Sequence, residues 1–321
     1  MTETIFDQIR AACKAVAGLS THVRINYAKI PAYASSLPVE KAATCQLDPN
    51  CHFLGRKKDT VAFLLILDSI NFGSGYFPHL RKRPGLSGYF TIASSLHDFC
   101  AANGAPAADH LAAITAEECT RIFDQDPNDT IIAELMAHFS AALNDLGRYL
   151  LDRFQGSFTG LVAAADASAA RLVHLLRQMP YYNDVEWYAN RQVPFFKRAQ
   201  IVAADLALAF DGLRWGHFHD LDQMTIFADN LLPHVLRMDG ILDYEDALLN
   251  RINAQILIAP GSAEEVEIRA CAVHAVELIK DAMRAGGKFA NARQLDNLLW
   301  NRGRQPQYKA VPRHRTRTVY Y

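Results

Sequence analysis

The spacing of apolar residues constrains this chain's fold more than any other feature of its sequence. Ile132, Leu135, Met136, Phe139, Leu143 and Leu146 recur at intervals of three or four, and only an α-helix gathers residues so spaced on one face. Residues 196–210 and 265–284 carry the same signal. In the latter, Glu264, Glu265 and Glu267 suit the positive end of a helix dipole, Lys280 and Arg284 suit the negative end, and Gly286 and Gly287 provide a stop. Gly-, Pro- and polar-rich stretches at 84–88, 103–106, 180–194 and 285–293 punctuate the helices, and none is long enough for a flexible linker. The expectation is a mainly α protein, one helical domain over residues 1–321, with a minor β element from Val185–Tyr188 and Thr318–Tyr321.

Charge bears on the partner. Lys and Arg total 33 against 34 for Asp and Glu, so the chain lacks the positive excess that follows a nucleic-acid backbone. A small-molecule substrate is expected, with no stable nucleic-acid binding. The start, with Glu3 and Asp7, lacks the basic opening and unbroken apolar run of an export signal. The strongly apolar run at 61–67 stops at Asp68, well short of the roughly 20 residues that a membrane span needs. A cytoplasmic protein without membrane association is expected. Cys13, Cys45, Cys51, Cys100, Cys119 and Cys271 are scattered without a paired spacing, so no disulfide framework is expected. Cys45, Cys51 and His52 lack the second pair that completes a tetrahedral metal site, and no metal or cofactor is expected.

Several segments carry side chains capable of chemistry. Residues 222–254 read as a helix, a turn near Asp239 and Gly240, and a second helix with Leu248 and Ile252 on its apolar face. Pro233 lacks a backbone donor, so Asp229 falls at a helix start or bend. There a carboxylate serves as a helix cap or as an electrostatic catalyst, and spacing leaves both open. Phe227 suits either a core or a substrate platform. In 193–210, Lys197 shares a helix face with Ile201 and Asp205; it is either a solvated lysine or one facing an anion. In 293–304, Asp296 and Trp300 share a face and Asn297 and Asn301 the adjoining one, which fits a polar helix flank or contacts to a base. The basic tail 309–321 alternates Thr and Val and reads as an edge strand rather than an RNA-binding arm. The glycines of Asn71-Phe-Gly-Ser-Gly-Tyr-Phe77 fit a tight turn, since no Lys and Ser/Thr pair follows as a phosphate loop requires. No nucleophile elbow, HExxH or dinucleotide fingerprint is present.

Taken in order, several blocks resemble the queuosine salvage proteins, the queuosine 5'-phosphate N-glycosylase/hydrolase family. They are ILDSINF at 66–72, SGYFTIA at 87–93, FQGSF at 154–158, YYNDV at 181–185, FFKRAQIVAADL at 195–206, MTIFADNLLPHVL at 224–236, EEVEIRACAVHAVELI at 264–279 and VPRHRTRTVYY at the end. The resemblance runs through most of the chain. It implies a fold similar to helix-hairpin-helix DNA glycosylases, with the hairpin at about 222–254, and cleavage of the N-glycosidic bond of queuosine 5'-phosphate to release queuine for tRNA modification.

The resemblance also assigns residues. The aspartate of the Phe-Ala-Asp triplet falls on Asp229 as the catalytic group, the substrate-contacting aromatic on Phe227, and the family's lysine on Lys197, either as phosphate ligand or as the group that tunes Asp229. Asp296, Asn297 and Asn301 align with the base-contacting segment, and His52 with a substrate-facing histidine. Where many members have Tyr-Arg after the triplet, this chain has Asn230 and Leu231, and Asn301 replaces an aspartate. An amide in place of a carboxylate keeps an acceptor, adds donors and removes charge. Two other readings therefore stay open: an N-ribohydrolase for another base, and a non-catalytic binder of a modified base. DNA glycosylase activity follows from fold analogy only and is weakened by the charge balance.

Overall fold

A computed structural model describes residues 3–40 and 46–321 and is mainly helical, with two small antiparallel sheets. Cys45 lies outside the described residues. The chain forms two compact units: one from Met1–Cys45, Asp184–Lys197 and Asp222–Arg317, the other from Gln46–Asn183, Arg198–Leu221 and Thr318–Tyr321.

The first unit is built on the helix Ala263–Ala285, capped by the Ser262 side chain, which accepts the Glu265 N–H, and ended at Gly286. Burial runs nearly all round its middle, from Val266 to Val273, because helices pack on it from several sides. Ile5–Leu19 and Ile30–Ser36 lie on it, as do Leu231–Met238 and Ala292–Gly303. Ile5–Leu19 starts at a reciprocal cap between Thr4 and Asp7 and buries Ile5, Phe6, Ile9, Cys13 and Val16, an apolar stripe at helical spacing. Val185–Tyr188 forms the expected strand, joined to Arg191–Pro194 by Ala189 and Asn190, both with left-handed backbone (φ 47° and 61°), as a tight two-residue hairpin requires. Within 222–254 both expected helices form, Leu231–Met238 and Asp246–Asn253, and the chain turns at Gly240 (φ 73°). The connection also contains a short strand, Leu242–Tyr244, paired with Val23–Ile25. Three residues are too few for an alternation to register in the sequence.

The second unit centres on Thr130–Phe154, begun by Asp129, whose side chain accepts the N–H groups of Ile131 and Ile132. The expected stripe from Ile132 to Leu146 is its buried face. Ala108–Ala113 crosses so closely that a Cβ on Gly147 would lie 2.3 Å from the Ala112 nitrogen. Lys58–Ser69 is buried from Thr60 to Ser69, which explains the unbroken apolar run. Gly73 adopts φ 108°, and its carbonyl accepts from Tyr76, confirming the turn.

The tail departs from expectation. Neither 309–317 nor Thr318–Tyr321 forms a strand. Alternation is real, with His314, Thr316 and Thr318 buried, but among the described residues no strand pairs with it. Its backbone groups bond singly instead: in the first unit the Arg315 carbonyl accepts from Ile258, and in the second the Tyr321 carbonyl accepts from Gly73. The five described cysteines, Cys13, Cys51, Cys100, Cys119 and Cys271, are buried free thiols.

Candidate active site

The stretch leading into Leu231–Met238 alternates in burial: Ile226, Ala228 and Asn230 point inward, while Phe227 and Asp229 are half-buried. It is held from three sides. The Phe227 N–H donates to Asp296 Oδ2 at 2.7 Å, the Ala228 carbonyl accepts from Arg269 Nε at 3.0 Å, and Asn230 Nδ2 donates to the His314 carbonyl at 3.2 Å. Asp229 Oδ1 accepts the N–H groups of Leu231 and Leu232 at 2.7 and 3.0 Å, two of the donors that a helix start leaves unpaired. Pro233 follows in the first turn, where its missing N–H costs nothing. Asp229 Oδ2 makes no hydrogen bond among the described residues.

The helix Lys197–Ala209 begins in the same unit. Asp184 organises its start: its carbonyl accepts the Phe195 N–H at 2.9 Å, and its Oδ2 accepts the Lys197 N–H at 3.1 Å. Phe196, fully buried, takes φ 47° just before the helix, an uncommon conformation for a bulky residue and one retained where the surroundings over-determine it. Arg269 completes the support. Its fork donates to both Asp184 oxygens at 3.0 and 2.7 Å, it lies 3.5 Å from Glu265, and its guanidinium stacks 3.9 Å from the Phe195 ring centroid. Arg269 therefore joins the start at Lys197 to the carbonyl next to Asp229.

Charge couples these groups. Burial pushes the Asp296 carboxyl well above the usual carboxylate range; the Phe227 N–H opposes that shift, the Asp229 charge adds to it, and the Lys197 charge opposes it. Burial pulls the Arg313 guanidinium down while Asp229 holds it up. Asp229, Lys197, Asp296 and Arg313 thus interact in one neighbourhood, and it contains both a buried carboxyl that favours its neutral form and flanking cations.

The first unit brings together Asp229, Lys197, Phe227 and Asp296. Asn297 and the exposed Asn301 follow along the same helix and bond to each other: Asn301 Nδ2 donates to the Asn297 carbonyl at 3.0 Å and to its Oδ1 at 2.9 Å. His52 belongs to the second unit, where one ring nitrogen meets the Asp48 carbonyl and the other the Tyr89 hydroxyl, each at 2.9 Å. Asp184, Arg269 and Arg313 were not singled out in the sequence. Arg269 had a readable signal, an arginine amid Ile268, Ala270, Cys271, Ala272 and Val273 on a helix, since a charge on a buried face requires a partner. Asp184 and Arg313 sit in irregular segments and carried none. Among the described residues, no group of three or more His, Cys, Asp or Glu is arranged to hold a metal ion.

In class, this is a mainly helical protein with a site of carboxylates and cations around one helix start. A family model described as Queuosine salvage protein matches residues 51–321, and the chain belongs to that family. It is 37% identical, over 84% of each chain, to a protein of Sphaerobacter thermophilus named queuosine 5'-phosphate N-glycosylase/hydrolase. Proteins of the same name from Bos taurus and Dictyostelium discoideum are 34% identical over 73% of this chain and 72% of theirs, and 30% identical over 98% of each.

Proposed function

We propose that this protein is a hydrolase that cleaves the N-glycosidic bond of queuosine 5'-phosphate and releases queuine for salvage. Asp229 carries the reading: one oxygen is fixed by two backbone N–H groups and the other is unengaged among the described residues. As the bond from C1' to the base nitrogen breaks, its electrons leave with the base and positive charge builds on the sugar. A carboxylate oxygen held rigidly against that charge stabilises the transition state more than the ground state. Water adds at C1', loses its proton to the same carboxylate, and yields ribose 5-phosphate.

Queuine has carbon in place of purine N7, so the leaving base is not activated by protonation there. Other base edges take that role. In this reading Asp296, whose burial favours the protonated form and whose Oδ2 accepts the Phe227 N–H, donates from its other oxygen to the base. Phe227 offers a ring against the substrate, and Asn297 and Asn301 lie further along the base side. Lys197 acts on the carboxylate pair, since its charge bears on Asp296. His52 enters as a substrate-facing residue on the family resemblance alone. The helices Leu231–Met238 and Asp246–Asn253 correspond in this reading to the hairpin of a helix-hairpin-helix glycosylase-like scaffold. The substrate is a free nucleotide rather than a nucleic acid, in keeping with the charge balance, and the protein acts in the cytoplasm.

Asn230, one of the departures from the family pattern, is buried with its amide committed to the His314 carbonyl; it braces the tail instead of choosing a base. A mass-spectrometric assay of base release from queuosine 5'-phosphate and guanosine 5'-phosphate tests the proposal. Queuine from the first, in clear excess over guanine from the second, is expected. The reverse preference points to another base, and tight binding without release of either points to a non-catalytic binder.

A further inference from the structure

Arg269 is fully buried in the middle of its helix, beside the buried Ile268, Ala270, Cys271 and Ala272. Taking a charge out of water is costly, and a buried ion pair is often replaceable by apolar side chains with no loss of stability. Packing alone therefore gives no reason for an arginine here, but its geometry does. Nη1 and Nη2 donate to the Asp184 oxygens at 3.0 and 2.7 Å, while Nε donates to the Ala228 carbonyl at 3.0 Å. The guanidinium carbon lies 3.9 Å from the Phe195 ring centroid, so the plane of the group is held as well. A rigid planar fork gripped in this way fixes the Asp184 carboxylate and the Ala228 carbonyl relative to each other, which a flexible ammonium does not.

Both partners lead directly into the site. The Ala228 carbonyl and the Asp229 N–H belong to one planar peptide unit. The Nε bond thus sets the backbone entering Asp229, and the N–H groups of Leu231 and Leu232 set its side chain through Oδ1. Asp184 Oδ2, which accepts from Arg269 Nη2, also accepts the Lys197 N–H at 3.1 Å. Lys197 and Asp229, distant in the chain, are in this way referred to one rigid group. Phe196 marks how firmly the chain is constrained there: fully buried directly before Lys197, it takes φ 47°, a strained conformation that persists where the surroundings impose it.

We propose that Arg269 is a positioning residue for base release, holding the Asp229 carboxylate and the helix start at Lys197 in the relative placement that the reaction requires; the assignment rests on the hydrolase reading above. It acts through Ala228 and Asp184, not on the substrate. Displacing a reacting group by about 1 Å costs about 100-fold in rate. The loss falls on kcat rather than KM, because Asp229 contributes as charge develops in the transition state.

The test measures kcat and KM for queuine release from queuosine 5'-phosphate, per folded enzyme and well below the Tm of each protein. Two variants separate positioning from support of the fold. Arg269→Lys keeps a counterion for Asp184 and for Glu265, which lies 3.5 Å from Arg269, but loses the fork. The triple variant Asp184→Asn/Glu265→Gln/Arg269→Met neutralises the cluster and leaves none of its charges buried without a partner. Both are expected to lose about 10- to 100-fold in kcat with KM within about threefold of the wild type's, whatever their Tm. A kcat that recovers with Tm in the triple variant, a change in KM as large as that in kcat, or an unaltered kcat overturns the proposal. If neither variant folds, Phe195→Leu, which removes the stacked ring and leaves the hydrogen bonds, decides by the same split: a lower kcat at constant KM supports the proposal, and an unchanged kcat overturns it. A wild type that releases no base overturns the hydrolase reading and this assignment with it, whereas turnover by the wild type beside variants of unaltered kcat overturns the assignment alone.

Discussion

At the scale of single residues, capping and catalysis are compatible in Asp229 because a carboxylate has two oxygens. Oδ1 pairs with the N–H groups of Leu231 and Leu232, and that bond fixes where Oδ2 lies. Sequence spacing placed Asp229 at a helix start, but the second oxygen only has meaning once the backbone is traced. Lys197 lends itself to a prediction at this scale. Lys197→Met keeps the buried stem and removes a charge that eases the loss of the Asp296 proton, so that Asp296 yields it less readily to the departing base; base release is expected to fall about 10- to 100-fold on queuosine 5'-phosphate and on queuosine alike. A loss confined to the nucleotide in paired kinetic assays would move Lys197 to the phosphate. Asp296, Phe227 and Lys197 were legible through the family blocks, whereas Arg313 was not, because nothing in a basic tail distinguishes the arginine whose charge interacts with Asp229 from its neighbours.

At the scale of elements, the helices with a wide apolar stripe were readable, since burial on one face leaves a period of 3.6 in the sequence. The short strands Val23–Ile25 and Leu242–Tyr244 and the irregular tail were not; their form depends on which distant partner is present, which no local pattern encodes. Leu231–Met238 owes its seat partly to His234. The imidazole Nε2 donates to the Tyr308 carbonyl at 2.9 Å, so Nδ1 is the acceptor for Arg237 Nη2 at 3.1 Å. Burial is the main cause of a His234 pKa lowered to about 4 and of a His314 pKa lowered to about 3. Between their ordinary value near 6.5 and these values the unfolded chain binds more protons than the folded one. Stability is therefore fully present above about 6.5, declines as pH falls through this window, and levels off below it. Urea unfolding at a series of pH values should show the decline, and His234→Gln, which can retain the donation to Tyr308, should make it shallower. An identical slope in wild type and variant would remove His234 from the account. Glu186 acts in the opposite sense: burial and then Glu265 raise it to about 7, so it lowers stability as pH rises from about 4.5 to 7. Glu186→Gln is expected to raise Tm at pH 8 and leave it nearly unchanged at pH 4; a gain of equal size at both would exclude the charge as its cause.

At the scale of the whole molecule, the first unit is assembled from three stretches of chain, and the Asp184–Arg269 pair joins two of them. Removing one partner of a buried pair typically costs about 3–5 kcal/mol, and without Asp184 the Arg269 guanidinium loses both fork hydrogen bonds and is left with Glu265 at 3.5 Å. Asp184→Ala is accordingly expected to lower Tm by several degrees and to lose base release with it, while a Tm equal to the wild type's would show that the pair does not hold the unit together. Sequence composition spoke at this scale too: the near balance of 33 basic and 34 acidic side chains argued for a small ligand, and the family supports the same view. What composition could not convey is that the groups flanking the site come from residues 184, 197, 229, 269, 296 and 313, far apart in the chain. The central claim is that one carboxylate both starts a helix and stabilises the charge on the sugar. Asp229→Asn separates these tasks, because asparagine caps a helix as well as aspartate does but brings no charge. The decisive measurement is queuine release from queuosine 5'-phosphate by Asp229→Asn beside the wild type, with Tm recorded for both. The account predicts a Tm within a few degrees of the wild type's and a rate lower by about 100- to 1000-fold; release near the wild-type rate from the folded variant would contradict it.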